Sequence, residues 1–384
     1  MPSPVRKITK RFVIIANIAA VVVFLLACFS SYLDPVRWWF IAFLGLAFPY
    51  FLLTILLFAI FWGVFKSKWI ILNVVALLIA WGNIKAVVAL HPFPKKFNTV
   101  KNHGAIRVLQ WNCMSFGGYV KDKSAANDLR DKMLQYIREA NADVLCLQEF
   151  FDAYDPAFHQ NVQEVSEKLG YPNYYYSRDY KRYKYVPGKP SEPIGFWGSI
   201  IFSRLPLADS GKIAYPPDGA NSESLIYTDV IVNEDTLRVM TTHLQSVKFG
   251  GKEYAGLEKI KGVSEDALKA SKGIFSKIKR SYRNRSIQAR MIREAVKNSP
   301  YPVILTGDFN DVPNSYTYFT IKKGMQDVFL KKGFGLGRTF SAISPTLRID
   351  YMMCSKKIKA LQFKKDNLRL SDHFPMVADL ELNP

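Results

Sequence analysis

The chain changes character part-way along its length. From Phe12 to about Leu90 it is almost entirely apolar and aromatic, and beyond about residue 98 apolar positions alternate with charged and turn-forming ones. The apolar part divides into Phe12 to about Leu33, Trp38 to about Phe65 and Trp69 to about Leu90, and each stretch reaches the roughly 20 residues that a helix needs to cross a bilayer. Trp38, Trp39, Trp62 and Trp69 fall near the ends, where amphipathic rings favour the headgroup level. The pattern predicts a three-helix membrane anchor over residues 1–97 and a soluble domain over 98–384. A secretory signal flanked by Arg6, Lys7, Lys10 and Arg11 would explain the first stretch but not the next two. Leu25-Leu26-Ala27-Cys28 is similar to a lipoprotein cleavage box, which two further spans make redundant.

Basic flanks give an orientation. The N-terminal cluster and the Lys66–Lys68 loop favour the cytoplasm, so three spans leave the large domain on the other side of the cell membrane, although Lys85, Lys95, Lys96 and Lys101 weigh against this. Asn17, Asn73 and Asn83 fall inside the spans and read as helix-to-helix hydrogen-bonding groups. His91-Pro92-Phe93-Pro94-Lys95-Lys96 stops the third helix and forms a short tether.

In the soluble part, strand-like runs repeatedly end on polar residues. Ile106–Asn112 ends on an amide, Asp143–Leu147 leads to Gln148-Glu149, Thr236–Thr242 ends at His243, and Pro302–Leu305 leads into Thr306-Gly307-Asp308-Phe309-Asn310-Asp311. A strand end holds side chains rigidly at the rim of a sheet. The same Asp-Asn cluster also suits an ordinary polar turn. Helical patterns occupy Ala125–Ala140, with Leu129, Met133, Leu134 and Ile137 on one face, then Ala157–Leu169 and Ile287–Val296. Phe196–Arg204 reads as a strand whose last residue, Arg204, either meets a phosphate or solvates a turn. Leu225–Val232 and Thr236–Thr242 form a hairpin. Asp350 lies within the strand-like run Leu347–Met353; a buried carboxylate requires a partner, and His373 is the candidate.

Charge and cysteine content narrow the chemistry. Lys and Arg number 52 against 32 Asp and Glu, a formal net charge of +20, which favours polyanionic partners: nucleic acid, anionic headgroups or phosphorylated small molecules. Tyr171–Lys189 interleaves aromatics with cations, suited to base stacking or to a half-buried strand and solvated loop; Val247–Ser286 is a Lys-rich excursion that suits anionic lipid, nucleic acid or solvent. Cys28, Cys113, Cys146 and Cys354 lack CxxC or metal-type spacing and read as small buried hydrophobes.

The ordered segments Gln110-Trp111-Asn112, Leu147-Gln148-Glu149, Gly198–Arg204, Thr242-His243-Leu244, Gly307–Asp311, Arg348-Ile349-Asp350-Tyr351 and Ser371-Asp372-His373-Phe374-Pro375 resemble the endonuclease/exonuclease/phosphatase family, over about residues 105 to 384. The resemblance implies an α/β fold, a four-layer sandwich of two mixed β-sheets flanked by helices. It implies hydrolysis of phosphate esters with a divalent cation, usually Mg2+ with Mn2+ as a substitute. Glu149 and Asp372 are the implied metal ligands; His243, Asp308, Asn310, Asp350 and His373 the catalytic group; Asn112, Asn310, Arg204 and His243 the phosphate contacts. The expected activity is of endonuclease type, with a lipid-directed phosphodiesterase or phosphatase, or a silent scaffold, as alternatives. The expected partner is a nucleic acid or lipid-headgroup phosphate ester; no protein partner is inferable. Met114 stands where some nucleases of the family carry a second acid, and no segment matches the substrate-gripping tyrosine or asparagine of abasic-site enzymes.

Overall fold

The computed structural model describes residues 4–92, 96–117, 122–154, 158–184, 191–218, 223–247 and 265–383. Phe93–Lys95 of the tether, residues 185–189 of the aromatic stretch, residues 248–264 of the Lys-rich excursion and Ala157 lie outside them. The chain forms two compact units: Met1–Val88 with Ser246–Ala289 and Asp311–Thr320, and Ala89–Gln245 with Arg290–Asn310 and Ile321–Pro384. The helical unit therefore takes in two segments from beyond residue 97.

In that unit the expected three spans become five helices. Pro4–Phe29 is straight, and its Val5–Phe29 portion is long and apolar enough to cross a membrane, with mean hydropathy 2.9. The other two stretches are bent pairs, Pro35–Leu46 with Phe48–Val64 at 53° and Ile70–Ile79 with Trp81–Val87 at 67°, giving three spans only if each pair counts as one. Pro49 opens the helix Phe48–Val64, where its missing N–H is no loss but cannot continue the preceding helix.

A buried polar knot ties this unit together. Asn83 Nδ2 donates to the Cys28 carbonyl (3.1 Å), Ser31 Oγ (2.9 Å) and Asn314 Oδ1 (2.6 Å), while Asn314 Nδ2 donates to the Ala27 carbonyl (2.9 Å). A side chain at Gly45 would sit 2.4 Å from Ser30 Oγ and 2.5 Å from the Asn314 carbonyl, so only glycine lets these segments close. Asn83 thus links helices as expected. Asn73 does not: its amide donates to Trp69 of its own helix, and neither amide atom of the fully buried Asn17 has a hydrogen-bond partner among the described residues.

The second unit is an α/β sandwich. Its strands are β1 (Ala89–Leu90), β2 (Ile106–Asn112), β3 (Val144–Ala153), β4 (Asn173–Tyr176), β5 (Tyr180–Lys184), β6 (Glu192–Ser203), β7 (Leu207–Ala214), β8 (Ser224–Val232), β9 (Asp235–His243), β10 (Val303–Asp308), β11 (Met325–Asp327), β12 (Phe334–Gly335), β13 (Asp350–Ser355), β14 (Ile358–Lys365) and β15 (Met376–Leu382). One sheet runs β14-β15-β2-β3-β6-β4 with β5 also on β6; the other runs β11-β13-β10-β9-β8-β7. Both are mixed, with β2–β3 and β9–β10 parallel.

Both faces of the central strands are apolar because both are covered. Ile106, Val108, Val144 and Cys146 pack against Ile226, Val239, Ile304 and Met352 of the facing sheet. The alternate residues Leu109, Trp111, Leu145 and Leu147 pack against Met133, Leu134 and Ile137 of the helix Lys123–Ala140. Asp122 caps that helix by accepting from Ala125 N at 2.7 Å, an arrangement worth about 1 kcal/mol.

Several boundaries differ from the expected ones. Among the described residues of 157–169, only Asn161–Gln163 forms an α-turn, continued by a wider turn over Glu164–Lys168. The aromatic stretch forms edge strands β4 and β5, with Arg182 stacked over Phe151 and Trp197. The helix expected at Ile287 begins at Glu265 and runs 33 residues to Lys297.

Candidate active site

Strand register explains how distant residues converge. Asp308 pairs with His243 across the parallel β9–β10 ladder and with Asp350 across the antiparallel β10–β13 ladder, so three polar strand ends form one row. In the facing sheet Asn112 pairs with Gln148, and Glu149 follows. The two rows meet through Asn112, whose Nδ2 donates to Asp308 Oδ2 (3.1 Å) and Glu149 Oε1 (3.2 Å).

Local backbone geometry sharpens the placement. β3 does not end at Glu149 as expected but continues to Ala153, with a register shift between Leu147 and Phe150, and Glu149 takes φ 49° within that bulge. Asn310 has φ 51°. Its backbone N donates to Asp308 Oδ1 (2.8 Å) and its Nδ2 to the Leu244 carbonyl (3.0 Å). Left-handed conformations in non-glycine residues cost about 1 kcal/mol or more each and concentrate at functional sites. Gly307, at φ 144°, brings β10 so near β9 that a Cβ would stand 2.2 Å from the Thr242 carbonyl.

His373 is set by contacts from three directions. Its backbone carbonyl accepts from Trp111 Nε1 (3.0 Å), Phe340 lies over its ring, and Nδ1–H donates to Asp350 Oδ2 (2.9 Å). With Nδ1 turned to Asp350, Nε2 faces Asp308 Oδ2 at 3.7 Å. Asp350 opens β13 instead of lying inside it, because Thr339 Oγ1 accepts from the N–H groups of both Ile349 and Asp350 at 3.0 Å. His243 stands 3.6 Å from Asp308, 3.7 Å from Glu149 and 3.6 Å from Glu223.

These neighbours set the proton affinities. Burial, with Asp350 adding repulsion, pushes Asp308 up to about 6 despite both imidazoles. For His373 burial opposes the cation, but Asp350 and Asp308 outweigh it and raise the pKa to about 10. The same contest raises His243, through Glu223, Asp308 and Glu149. At neutral pH the arrangement offers an ionised Asp308 poised to accept a proton beside the His373 imidazolium, with His243 shifted toward its cation.

Asp308, Asp350 and His373 each offer an atom within 4.8 Å of the others and could hold a metal ion by distance alone. Asp350 has both oxygens engaged, however: Oδ2 with His373 and Oδ1 with Gln110 Nε2 at 3.2 Å. Glu149 is different, its side chain 31% exposed. Asp372 is raised by burial, and Glu149's charge adds to that rise, so the two carboxylates sense each other. Carboxylate oxygens are the donor type that a hard divalent cation prefers.

The rim assembles Asn112, Glu149, His243, Asp308, Asn310, Asp350, Asp372 and His373. It does not include Arg204. That residue follows β6 where Ser203 pairs with Val144, its N–H donates to the Asp143 carbonyl, and its guanidinium stacks on Tyr171 at 4.5 Å. Glu149 lies five residues further along β3, so the expected phosphate contact is at the wrong end of the strand and Arg204 instead ties down a turn. Sequence reading also passed over residues that support the rim: Glu223 beside His243, Thr339 beneath Asp350, and the chain Gln110–Gln148–Thr241 crossing between sheets at 2.9 and 2.7 Å. Gln110 and Gln148 stood inside the quoted motifs; Glu223 stood in none.

Residues 109–373 match the model of the Endonuclease/Exonuclease/phosphatase family, a span that contains the whole rim. The chain belongs to this family. Residues 10–87 separately match a Domain of unknown function (DUF8431). Among solved structures the fold is similar to the human Nocturnin catalytic domain with bound sulfate anion, at TM-score 0.50 and 21% identity over 74% of this chain and 96% of that one. It is similar also to an endonuclease/exonuclease/phosphatase from Beutenbergia cavernae, at TM-score 0.50 and 20% identity over 73% and 72%. No curated protein sequence matches the chain. The family's phosphate-ester hydrolases give the rim its chemical class, and the mixed sheets flanked by helices are the family's fold.

Proposed function

We propose that this protein is a membrane-held, divalent-metal-dependent phosphodiesterase of endonuclease type. The observation that carries the proposal is the buried Asp350–His373 pair facing Asp308 across 3.7 Å, with Asn112 and His243 beside them. In this reading Asp308 accepts a proton from the attacking water as its oxygen bonds to phosphorus. His373 donates to a non-bridging oxygen, Asn310 adds its second amide hydrogen, and Asn112 turns to the phosphate the hydrogen that it otherwise gives Glu149, keeping the other on Asp308. The P–O bond breaks in line, and His243 passes a proton to the departing oxygen. Glu149 and Asp372 would hold Mg2+, or Mn2+ in its place; a bound cation supplies neutralisation of charge on the phosphoryl oxygens.

The apolar N-terminal helices support a multi-pass place in the cell membrane. The knot uniting Cys28, Ser31, Asn83 and Asn314 supports alternation of three segments, since it joins the C-terminal ends of the first and last. With the basic N-terminus in the cytoplasm, the catalytic domain is extracytoplasmic. The tether favours a second reading, a lipid-directed phosphodiesterase, because only His91–Lys96 lies between the last apolar stretch and the alternating pattern of the soluble part.

The test is turnover by the purified full chain on plasmid DNA, RNA, sphingomyelin, phosphoinositides and a chromogenic phosphodiester, with Mg2+ or with chelator. Cleavage of nucleic acid that needs Mg2+ and fails in Asp308→Ala and His373→Ala is expected. Intact DNA and RNA beside cleaved lipid would replace the first reading by the second, and undiminished rates with chelator or in both variants would refute the mechanism.

A further inference from the structure

The helix Glu265–Lys297 carries charge of one sign over most of its length. Between Ala267 and Arg293 it has no acidic residue, while Lys277, Lys279, Arg280, Arg283, Arg285, Arg290 and Arg293 fall within its last 21 of those positions, 273–293. Its faces differ. Ile274, Ser281, Tyr282, Arg285, Ser286 and Ala289 are buried, and Arg285 meets Asp311 at 3.3 Å. Phe275, Lys279 and Arg283, spaced by one helical turn, are exposed, with Arg280 beside them.

The buried face packs within the helical unit on the helix Pro35–Leu46, from Trp39 to Phe43. Phe43 meets Phe275 at 5.1 Å and Tyr282 at 5.7 Å, the Tyr282 hydroxyl donates to the Ala42 carbonyl (3.4 Å), and Lys279 Nζ lies 4.8 Å over the Trp39 ring. The same helix starts with the composition of a headgroup belt: Asp34 caps it, Arg37 sits over Trp38, and Trp39, under Lys279, follows. Phe275 is 51% exposed, as are Phe40 at 48% and Trp38 at 39%. Apolar rings and cations are therefore presented together, as in a helix lying in the plane of a membrane surface.

We infer that the stretch Phe275–Arg283 is a docking surface for anionic phospholipid headgroups of the bilayer that holds the chain. Phe275 enters the acyl boundary from its place against Phe43, with Phe40 and Trp38 exposed on the same partner helix, and Lys279, Arg280 and Arg283 meet lipid phosphates. A nucleic-acid duplex would also attract the cations, but its bases are stacked on one another and not open to the exposed rings. The inference rests on the membrane placement proposed above and not on the hydrolytic chemistry.

The experiment uses the full chain in neutral-detergent micelles, with tryptophan-to-dansyl energy transfer reporting binding of dansyl-labelled phosphatidylglycerol or phosphatidylcholine. Wild type is expected to prefer the anionic lipid. Each headgroup contact is worth about 5-fold, so Lys279→Gln/Arg280→Gln/Arg283→Gln should reduce the preference on the order of 100-fold, as 1 M salt does in part. Phe275→Ser should weaken both lipids alike. Unchanged turnover of a soluble chromogenic phosphodiester verifies folding. Equal binding of both lipids by wild type overturns the inference, as does a triple variant that loses affinity for a labelled oligonucleotide while keeping its lipid preference. Release of the chain from vesicles by alkaline carbonate would instead overturn the membrane placement itself.

Discussion

Replacing Asp350 with asparagine tests the proton assignments directly, because it removes a charge while keeping shape and an acceptor for His373 Nδ1–H. In the wild type the rise of His373 from its ordinary 6.5 to about 10 corresponds to about 5 kcal/mol favouring the cation. Because the folded value is raised, this stabilisation is fully present below 6.5 and is lost as pH climbs through about 10. Asp308 runs the other way: raised to about 6, its ionisation costs stability above that pH, and the cost is relieved below it. Without the Asp350 charge, burial acts on His373 with less opposition and its pKa falls from about 10 toward its ordinary 6.5, while Asp308 loses its repelling neighbour and falls below 6. Ionised Asp308 and cationic His373 coexist from about pH 6 to 10 in the wild type, a window within which activity further needs His243 to keep its proton; in the variant both limits of that window move to acid. At pH 8 only about 3% of His373 would remain cationic against nearly all in the wild type, so the rate falls roughly 30-fold, but only about 2-fold at pH 6.5. Steady-state hydrolysis of a chromogenic phosphodiester from pH 5 to 10.5 in Mg2+ measures this. An alkaline limb that stays in place, or a loss of equal size at pH 6.5 and 8, would refute the reasoning.

Other substitutions probe the remaining structure. Gly307→Ala places a methyl 2.2 Å from the Thr242 carbonyl in a backbone conformation that L residues rarely adopt, and should cost 3 kcal/mol or more, read as a fall in thermal midpoint with loss of turnover. Arg204→Ala should leave kcat within about 2-fold, since its partners Asp143 and Tyr171 are at the other end of β3; a 10-fold loss with an unchanged midpoint would return Arg204 to the site. Asn314→Ala removes an acceptor that Asn83 Nδ2 and Ser31 Oγ share and one of the donors to the Ala27 carbonyl, and should destabilise the detergent-solubilised chain by about 1–3 kcal/mol, measured by thermal denaturation.

Much of this protein was legible from local pattern. The apolar blocks announced helices suited to a membrane, and strand-like runs ending on Asn112, Glu149, His243 and Asp308 announced a rim, because a strand's end is a one-dimensional property of where an apolar run stops. The need of Asp350 for a partner also followed from sequence, since a carboxylate among apolar residues is costly alone. Arg204 misled for the same reason: it too ends an apolar run, but on an antiparallel strand, so its end lies opposite the rim. Direction within a sheet is decided by pairing, which only register reveals.

Tertiary structure decided the rest. That His243, Asp308 and Asp350 form one row depends on two ladders, one parallel and one antiparallel, closing between segments far apart in the chain. Glu223, Thr339 and the Gln110–Gln148–Thr241 chain act only through what they touch, and the bends near Pro49 and Ala80 turned expected straight spans into pairs. The sequence by itself determined which residues could do phosphate-ester chemistry and which could enter a membrane, because composition and periodicity carry hydrophobicity and charge. Which residues stand within 4 Å of one another, and hence that Asp308 sits near 6 and His373 near 10, belongs to the fold alone, since burial and Coulomb interaction depend on distance in space and not along the chain.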